Sequence, residues 1–142
     1  MRRKERTRVL VEGRREVLSR IAREAEGACE VRVVKDPAEE LVMLKVREGA
    51  QRSLFYLGEA LMTSCTVRVG DAYGYGMVLG EDRDKARDLA VVDAAYAHDE
   101  ALGERLGWDE LLAREAACLD VELRRRREAL LKTQVDFSTM EA

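Results

Sequence analysis

GDAYGYGMVLGEDRDKARDLAVVDAAY, residues 70–96, decides how this chain is organised. A turn at Gly70-Asp71 leads into an alternating run, Ala72 to Leu79, that has the period of a half-buried strand. The run stops at Gly80, and an acidic turn follows. From Asp82 the spacing changes to that of a helix with Ala86, Leu89, Ala90, Asp93, Ala94 and Ala97 on one face. Asp82 can accept from the free amides of the first turn, and Asp84 adds favourable charge there. Small side chains on that face let the helix sit close on a sheet. Asp93 is the exception, because a carboxylate among alanines needs a partner. A backbone amide, a tyrosine or a nearby arginine would serve, and an active-site or interface role is the alternative.

Working outward, residues 7–25 read as one amphipathic helix. Leu10, Val17, Leu18, Ile21 and Ala25 share a face, with Gly13 weakening the helix and Gly27 near its end. Cys29, Val31 and Val33 alternate as a strand, and Asp36-Pro37 reads as a turn. LVMLKV, residues 41–46, is a second apolar run. Residues 53–57 and 60–69 are strand-like on either side of Gly58-Glu59, where a glycine inside a strand pattern signals a bulge, a bend or a close backbone approach. The expectation is an α+β fold of one domain over residues 1–142, with an antiparallel meander of four to five strands, one N-terminal helix and two C-terminal helices. The last helix is predicted over residues 109–134, with Leu112, Ala116, Leu119, Leu123 and Leu130 forming a narrow seam that suits another helix, including one from a second copy.

Charge is unevenly spread. Residues 1–25 carry nine Lys/Arg against four Glu, while residues 81–122 carry thirteen Asp/Glu against five Lys/Arg. The two regions can neutralise one another within a chain or between subunits. No aromatic residues interleave with the basic end, so a nucleic-acid surface is not expected. No apolar stretch approaches the length of a membrane span, and the basic start is not followed by the apolar core of a signal peptide, so the expected location is cytoplasmic. Cys29, Cys65 and Cys118 are odd in number and far apart, and His98 is the one histidine. Buried free thiols are expected, and this chain alone makes no metal site.

The search for a catalytic set finds none. Gly74, Gly76 and Gly80 miss the spacing and placement of a phosphate loop, and Asp82, Asp84 and Asp88 would repel an anion at the turn. No Ser or Cys stands in a nucleophile motif. Glu59 has the most distinctive setting among the remaining carboxylates. A small independent enzyme or nucleotide-binding domain built on Asp93, Glu59 and the arginines is the alternative to a subunit role.

Four segments in order resemble the G subunit (PhnG) of the bacterial carbon–phosphorus lyase system. They are LVMLKVRE (41–48), LFYLGEALMTSCTVRV (54–69) through Phe55, Gly58 and Glu59, GYGMVLGEDRDKARDLAVVDAAY (74–96) through Gly80 and Asp93, and VDFSTM (135–140) through Asp136, Phe137 and Met140. The resemblance implies a non-catalytic subunit of a core complex, with no cofactor bound by this chain alone. The implied partners are an I-type subunit first, then H and J; composition argues for no membrane or nucleic acid, and the seam of the helix over residues 109–134 keeps a homodimer as a further possibility. It also implies that ATP is a substrate of the complex, which forms α-D-ribose 1-methylphosphonate 5-triphosphate as a phosphonate displaces adenine. Ser64 and Glu81 stand where the family carries arginine, Ser138 replaces a phenylalanine, and the family's last three residues are absent after Ala142.

Overall fold

The structure is a computed structural model that describes residues 1–133. Two helices, α1 (Arg3–Glu12) and α2 (Arg15–Ala28), precede three strands, β1 (Val31–Arg47), β2 (Leu54–Val69) and β3 (Ala72–Leu79). Three helices follow: α3 (Arg83–His98), the short α4 (Leu102–Arg105) and α5 (Trp108–Lys132). The sheet has the order β1-β2-β3, antiparallel throughout. The α+β class and the meander are as expected, but the strand count is not.

Two predicted breaks turn out to be irregularities inside long strands. Asp36-Pro37 does not turn the chain; it lies in β1, where the register with β2 shifts between Val33 and Ala38. Proline is tolerated there because β1 is an edge strand and a bulge removes the need for its amide. Gly58 lies inside β2 opposite Leu44, and the next paired residues are Lys45 and Tyr56, so Leu57 is the extra residue of a bulge. The glycine signal was a bulge, not a strand end.

The single N-terminal helix is also two. Gly13 is extended (φ −78°, ψ −175°), and a side chain there would strike the Val9 carbonyl and the Glu115 side chain. Glu115 of α5 fills the gap. It is 2% exposed and accepts from the Arg14 backbone N–H at 2.8 Å and from the Arg14 guanidinium at 2.7 and 2.9 Å. The break is therefore held by an ion pair rather than left as a loose joint.

Helix α3 forms as predicted and is the centre of the molecule. Asp82 accepts from the Lys85 amide at 3.0 Å as N-cap. Ala86, Leu89, Ala90 and Ala94 are buried, and so are Val91, Val92, Ala95 and Tyr96 on the other side; Ala97 is exposed. The helix is covered all round because the sheet packs on one side and α1 and α2 on the other. Its approach to β3 is close. A Cβ at Gly74 would collide with the Ala90 carbonyl and the Ala94 amide, and one at Gly76 with the Ala86 carbonyl. These glycines are the gap in the sheet that admits α3.

Helix α5 begins at Trp108, not at a cap by Asp109, and Gly107 precedes it in the left-handed region (φ 71°). Trp108 is buried, packs 5.6 Å from the Tyr96 ring, and donates its indole N–H to Glu24 at 2.7 Å. The seam is occupied within the chain only at its start. Leu112 is buried, Ala116 and Leu119 pack against the core, and Leu123 and Leu130 are exposed. All three cysteines are free, but only Cys65 is buried; Cys29 is half-buried and Cys118 exposed. Burial pushes the Cys65 thiol up, and its S–H reaches the Lys35 carbonyl at 3.4 Å.

Candidate functional site

Among the described residues, every helix lies on one face of the sheet or beyond its ends, and nothing covers the other face. On β3, Gly74, Gly76 and Val78 turn to α3, while Tyr73, Tyr75, Met77 and Leu79 turn outward and are exposed. The pairing extends this outward face across the sheet. Leu79 lies beside Met62, which lies beside Glu40, and the rows above hold Val42 with Ala60, Leu44 with Gly58, and Val46 with Phe55. Alternation along each strand places these side chains on one surface.

The sheet also outruns its cover. β3 pairs with β2 only over residues 62–69, so residues 54–61 of β2 and 41–47 of β1 pair with each other alone. This arm is apolar on both faces. Leu41, Tyr56 and Leu57 are 64%, 60% and 63% exposed. Single exposed apolar residues need no explanation, but a contiguous surface of this kind marks an interaction site. Phe55, Gly58 and Glu59 all fall on it. Phe55 is on the bare face, Gly58 lies beside the Leu57 bulge where an added Cβ would meet open space, and Glu59 is exposed opposite Met43. Lys45 lies 5.4 Å over the Tyr56 ring, close to the tip.

Gly80 and Asp93 sit elsewhere and act inside the chain. Gly80 (φ 80°) joins β3 to α3. Its N–H donates to the Leu61 carbonyl at 2.8 Å, and its carbonyl accepts from the Thr63 hydroxyl at 2.6 Å. Of the amides after it, that of Asp82 donates to the Thr63 hydroxyl and that of Lys85 to the Asp82 carboxylate. Asp93 accepts from Arg3 Nε at 2.8 Å and Nη2 at 2.6 Å, from Arg6 Nη2 at 3.4 Å, and from the Tyr75 amide at 3.0 Å. Arg6 is itself buried, with its guanidinium 4.0 Å from the centre of the Tyr96 ring. Burial pushes the Tyr96 phenol up, and its O–H donates to Asp109 at 3.1 Å.

A cleft of about 360 Å³ opens beside this clasp, with Arg2, Arg3, Arg6, Asp93, Glu100 and Asp109 in its wall. Met1, Tyr96 and Ala97 complete the lining. The composition signal of a basic end and an acidic half resolves into such in-chain pairs. Besides Arg3 and Arg6 with Asp93, Arg15 meets Asp82 at 2.7 Å and Arg14 meets Glu115. His98 closes α3 against Gly70, whose added Cβ would lie 2.7 Å from its ring. Among the described residues, no group of three His, Cys, Asp or Glu is placed to hold a metal, and no helix is long and apolar enough to cross a membrane. Asp136, Phe137 and Met140 lie outside the described residues.

Sequence reasoning missed the arm. Its runs were visible as strands, but nothing in an apolar run says whether a layer will cover it. The available signal was length. Residues 41–46 and 54–61 are as apolar as the core strands, yet the three helices that follow are too few to cover both faces of so long a sheet.

A family model described as "Phosphonate metabolism protein PhnG" matches residues 1–141. Among curated proteins, the chain is similar to the alpha-D-ribose 1-methylphosphonate 5-triphosphate synthase subunit PhnG of Rhizobium meliloti (strain 1021). The two are 38% identical over 112 residues, which span 78% of this chain and 70% of that one.

Proposed function

This chain belongs to the PhnG family, and from that premise we propose that it is a subunit of a phosphonate-catabolising complex. It contributes to making α-D-ribose 1-methylphosphonate 5-triphosphate from ATP and a phosphonate, with adenine as the leaving group. ATP is a substrate of the assembly, and this chain supplies surface rather than chemistry. The assembly works in the cytoplasm, with an I-type subunit as the first partner and H- and J-type subunits beyond it.

One observation carries the reading. An apolar arm and an apolar sheet face, joined into one surface, are covered by nothing among the described residues of this chain. A contiguous exposed apolar surface of this kind marks an interaction site. The Asp93 clasp supports the same reading, because its carboxylate is engaged by Arg3, Arg6 and the Tyr75 amide.

Co-expression with an I-type subunit tests it. The two should elute together at micromolar concentration, and the double variant Leu44→Glu/Phe55→Glu should separate them while the isolated variant melts as the parent does. Separate elution of the unaltered pair would sink the proposal.

A further inference from the structure

The Asp93 clasp sets two guanidiniums on one carboxylate, and they share it unequally. Arg3 holds it with two bonds, at 2.6 and 2.8 Å. Arg6 reaches it through Nη2 alone at 3.4 Å, where about 2.7–2.9 Å is usual between opposite charges. Yet Arg3 is the exposed partner, while the Arg6 side chain is only 9% exposed. A buried cation without a counter-charge of its own is costly. The Tyr96 ring, 4.0 Å away, offsets part of that charge but is no substitute for an oxygen acceptor.

The rest of the Arg6 head faces the cleft. Among the described residues, Asp93 is the one acceptor that its side chain meets. Among the same residues no nitrogen of a buried side chain is sealed off without a partner, so the free N–H groups of Arg6 still reach solvent. The opening that Arg6 lines is the cleft of about 360 Å³. A guanidinium presents two edges, each with two parallel N–H groups, and the long bond to Asp93 takes up half of one edge. The other edge matches the two oxygens of a carboxylate.

We propose that this cleft binds one carboxylate, held by the free edge of Arg6. The wall sets the charge of the ligand. Asp93, Glu100 and Asp109 all line it, so a polyanion such as a triphosphate would face three carboxylates, and a singly charged, planar group meets the least repulsion. Asp109 accepts from the Tyr96 phenol at 3.1 Å. Glu100 has no partner among the described residues and is exposed. Two sources of the carboxylate fit, a small free acid and an acidic side chain of another subunit. The site is built on α1 and α3 rather than on the arm, so the inference stands apart from the proposed function, and either can fail without the other.

Thermal unfolding of the full chain tests it, with acetate replacing chloride at constant ionic strength. The melting temperature should rise saturably, half-way at about a few millimolar acetate. A cleft already filled by the chain itself would give no such rise. Arg6→Lys keeps the charge but loses the planar edge, and should need about ten-fold more acetate or worse. Glu100→Gln removes an exposed like charge from the wall and should need about two-fold less. That second variant keeps the test decisive if Arg6→Lys does not fold. The same titration on the complex with an I-type subunit separates the sources. A response retained there assigns the cleft to a small acid, and a response lost there assigns it to an acidic side chain of the partner. No saturable rise in the full chain, a folded Arg6→Lys protein that responds as the parent does, or a Glu100→Gln response no stronger than the parent's would overturn the inference.

Discussion

Helix α3 and the β1–β2 arm are both rich in apolar residues, yet they have opposite fates. Ala86, Ala90, Val91, Val92, Ala94 and Ala95 of α3 have no exposed surface at all, while Leu41, Tyr56 and Leu57 of the arm are each at least 60% exposed. The difference lies in the neighbours. Gly74 and Gly76 open the sheet to α3, and α1 and α2 close over its back. Among the described residues, no helix packs over residues 41–47 and 54–61, and apart from the Gly80 amide on the Leu61 carbonyl each strand there meets only the one it pairs with. One region spends its apolar surface on the chain's own stability, and the other keeps it for association. Substitutions should therefore divide into those that unfold the chain and those that leave it folded but alone.

Gly76→Val should have the largest effect on stability. The side chain would enter the backbone of α3 at Ala86, and overpacking of this kind costs about 3 kcal/mol or more, so denaturant midpoints should fall sharply or the chain should not accumulate. A Gly76→Val protein as stable as its parent would break the comparison at its centre.

Asp93→Ala comes next. It leaves Arg6 buried without its carboxylate partner and frees the Tyr75 amide. Arg3 is 63% exposed and can turn to water, so the loss should be about 2 kcal/mol, less than for a fully buried pair. Urea unfolding gives the number. Catalytic activity is not the readout, because the clasp joins α1 to α3.

Acid should loosen the carboxylate pairs that tie the elements together. Arg14 holds the Glu115 carboxyl below its ordinary value of 4.5 by hydrogen bonding, against the opposing effect of burial. Arg83 holds Glu39 lower still, at about 2. A carboxyl with a lowered folded-state value adds stability above the unfolded value, and that stability is lost as pH falls through the folded one. Denaturant midpoints should therefore decline from about pH 4.5 downward. Glu115→Gln should start less stable at neutral pH and decline less steeply, and an unchanged slope would remove Glu115 from the account.

Leu44→Glu, on the bare face of the arm, should have the smallest effect. Stability of the isolated chain should stay within about 0.5 kcal/mol, while capture of a partner subunit is lost. A large drop in melting temperature would mean that the arm is covered by this chain after all, and the two regions would cease to differ.

The legible part of the fold was the part governed by local pattern. The alternation of Ala72 to Leu79, the Asp82 cap and the alanine face of α3 all formed as the sequence predicts. What failed depended on distant residues. Gly13 ends a helix because Glu115, about a hundred residues on, takes the freed Arg14 amide. Pro37 fails to end a strand because β1 is an edge. For Asp93, the need for a partner was readable and its kind was right, but Arg3 and Arg6 appeared only as an unplaced basic end. The predicted seam of α5 was correct through Leu119 and then runs past the core, since helical spacing does not say where a neighbour stops.

The Arg3–Asp93 clasp spans 90 residues of sequence. On a ribosome adding 5–20 residues per second, α1 emerges about 5–18 seconds before the helix it is clasped to, and α2 somewhat less. Through that interval Leu18 and Ile21, which end with no exposed surface, lack α3, the helix on which α2 chiefly packs. The first helices synthesised are among the last to find their place, so the nascent N-terminal segment is where a chaperone has the most to hold.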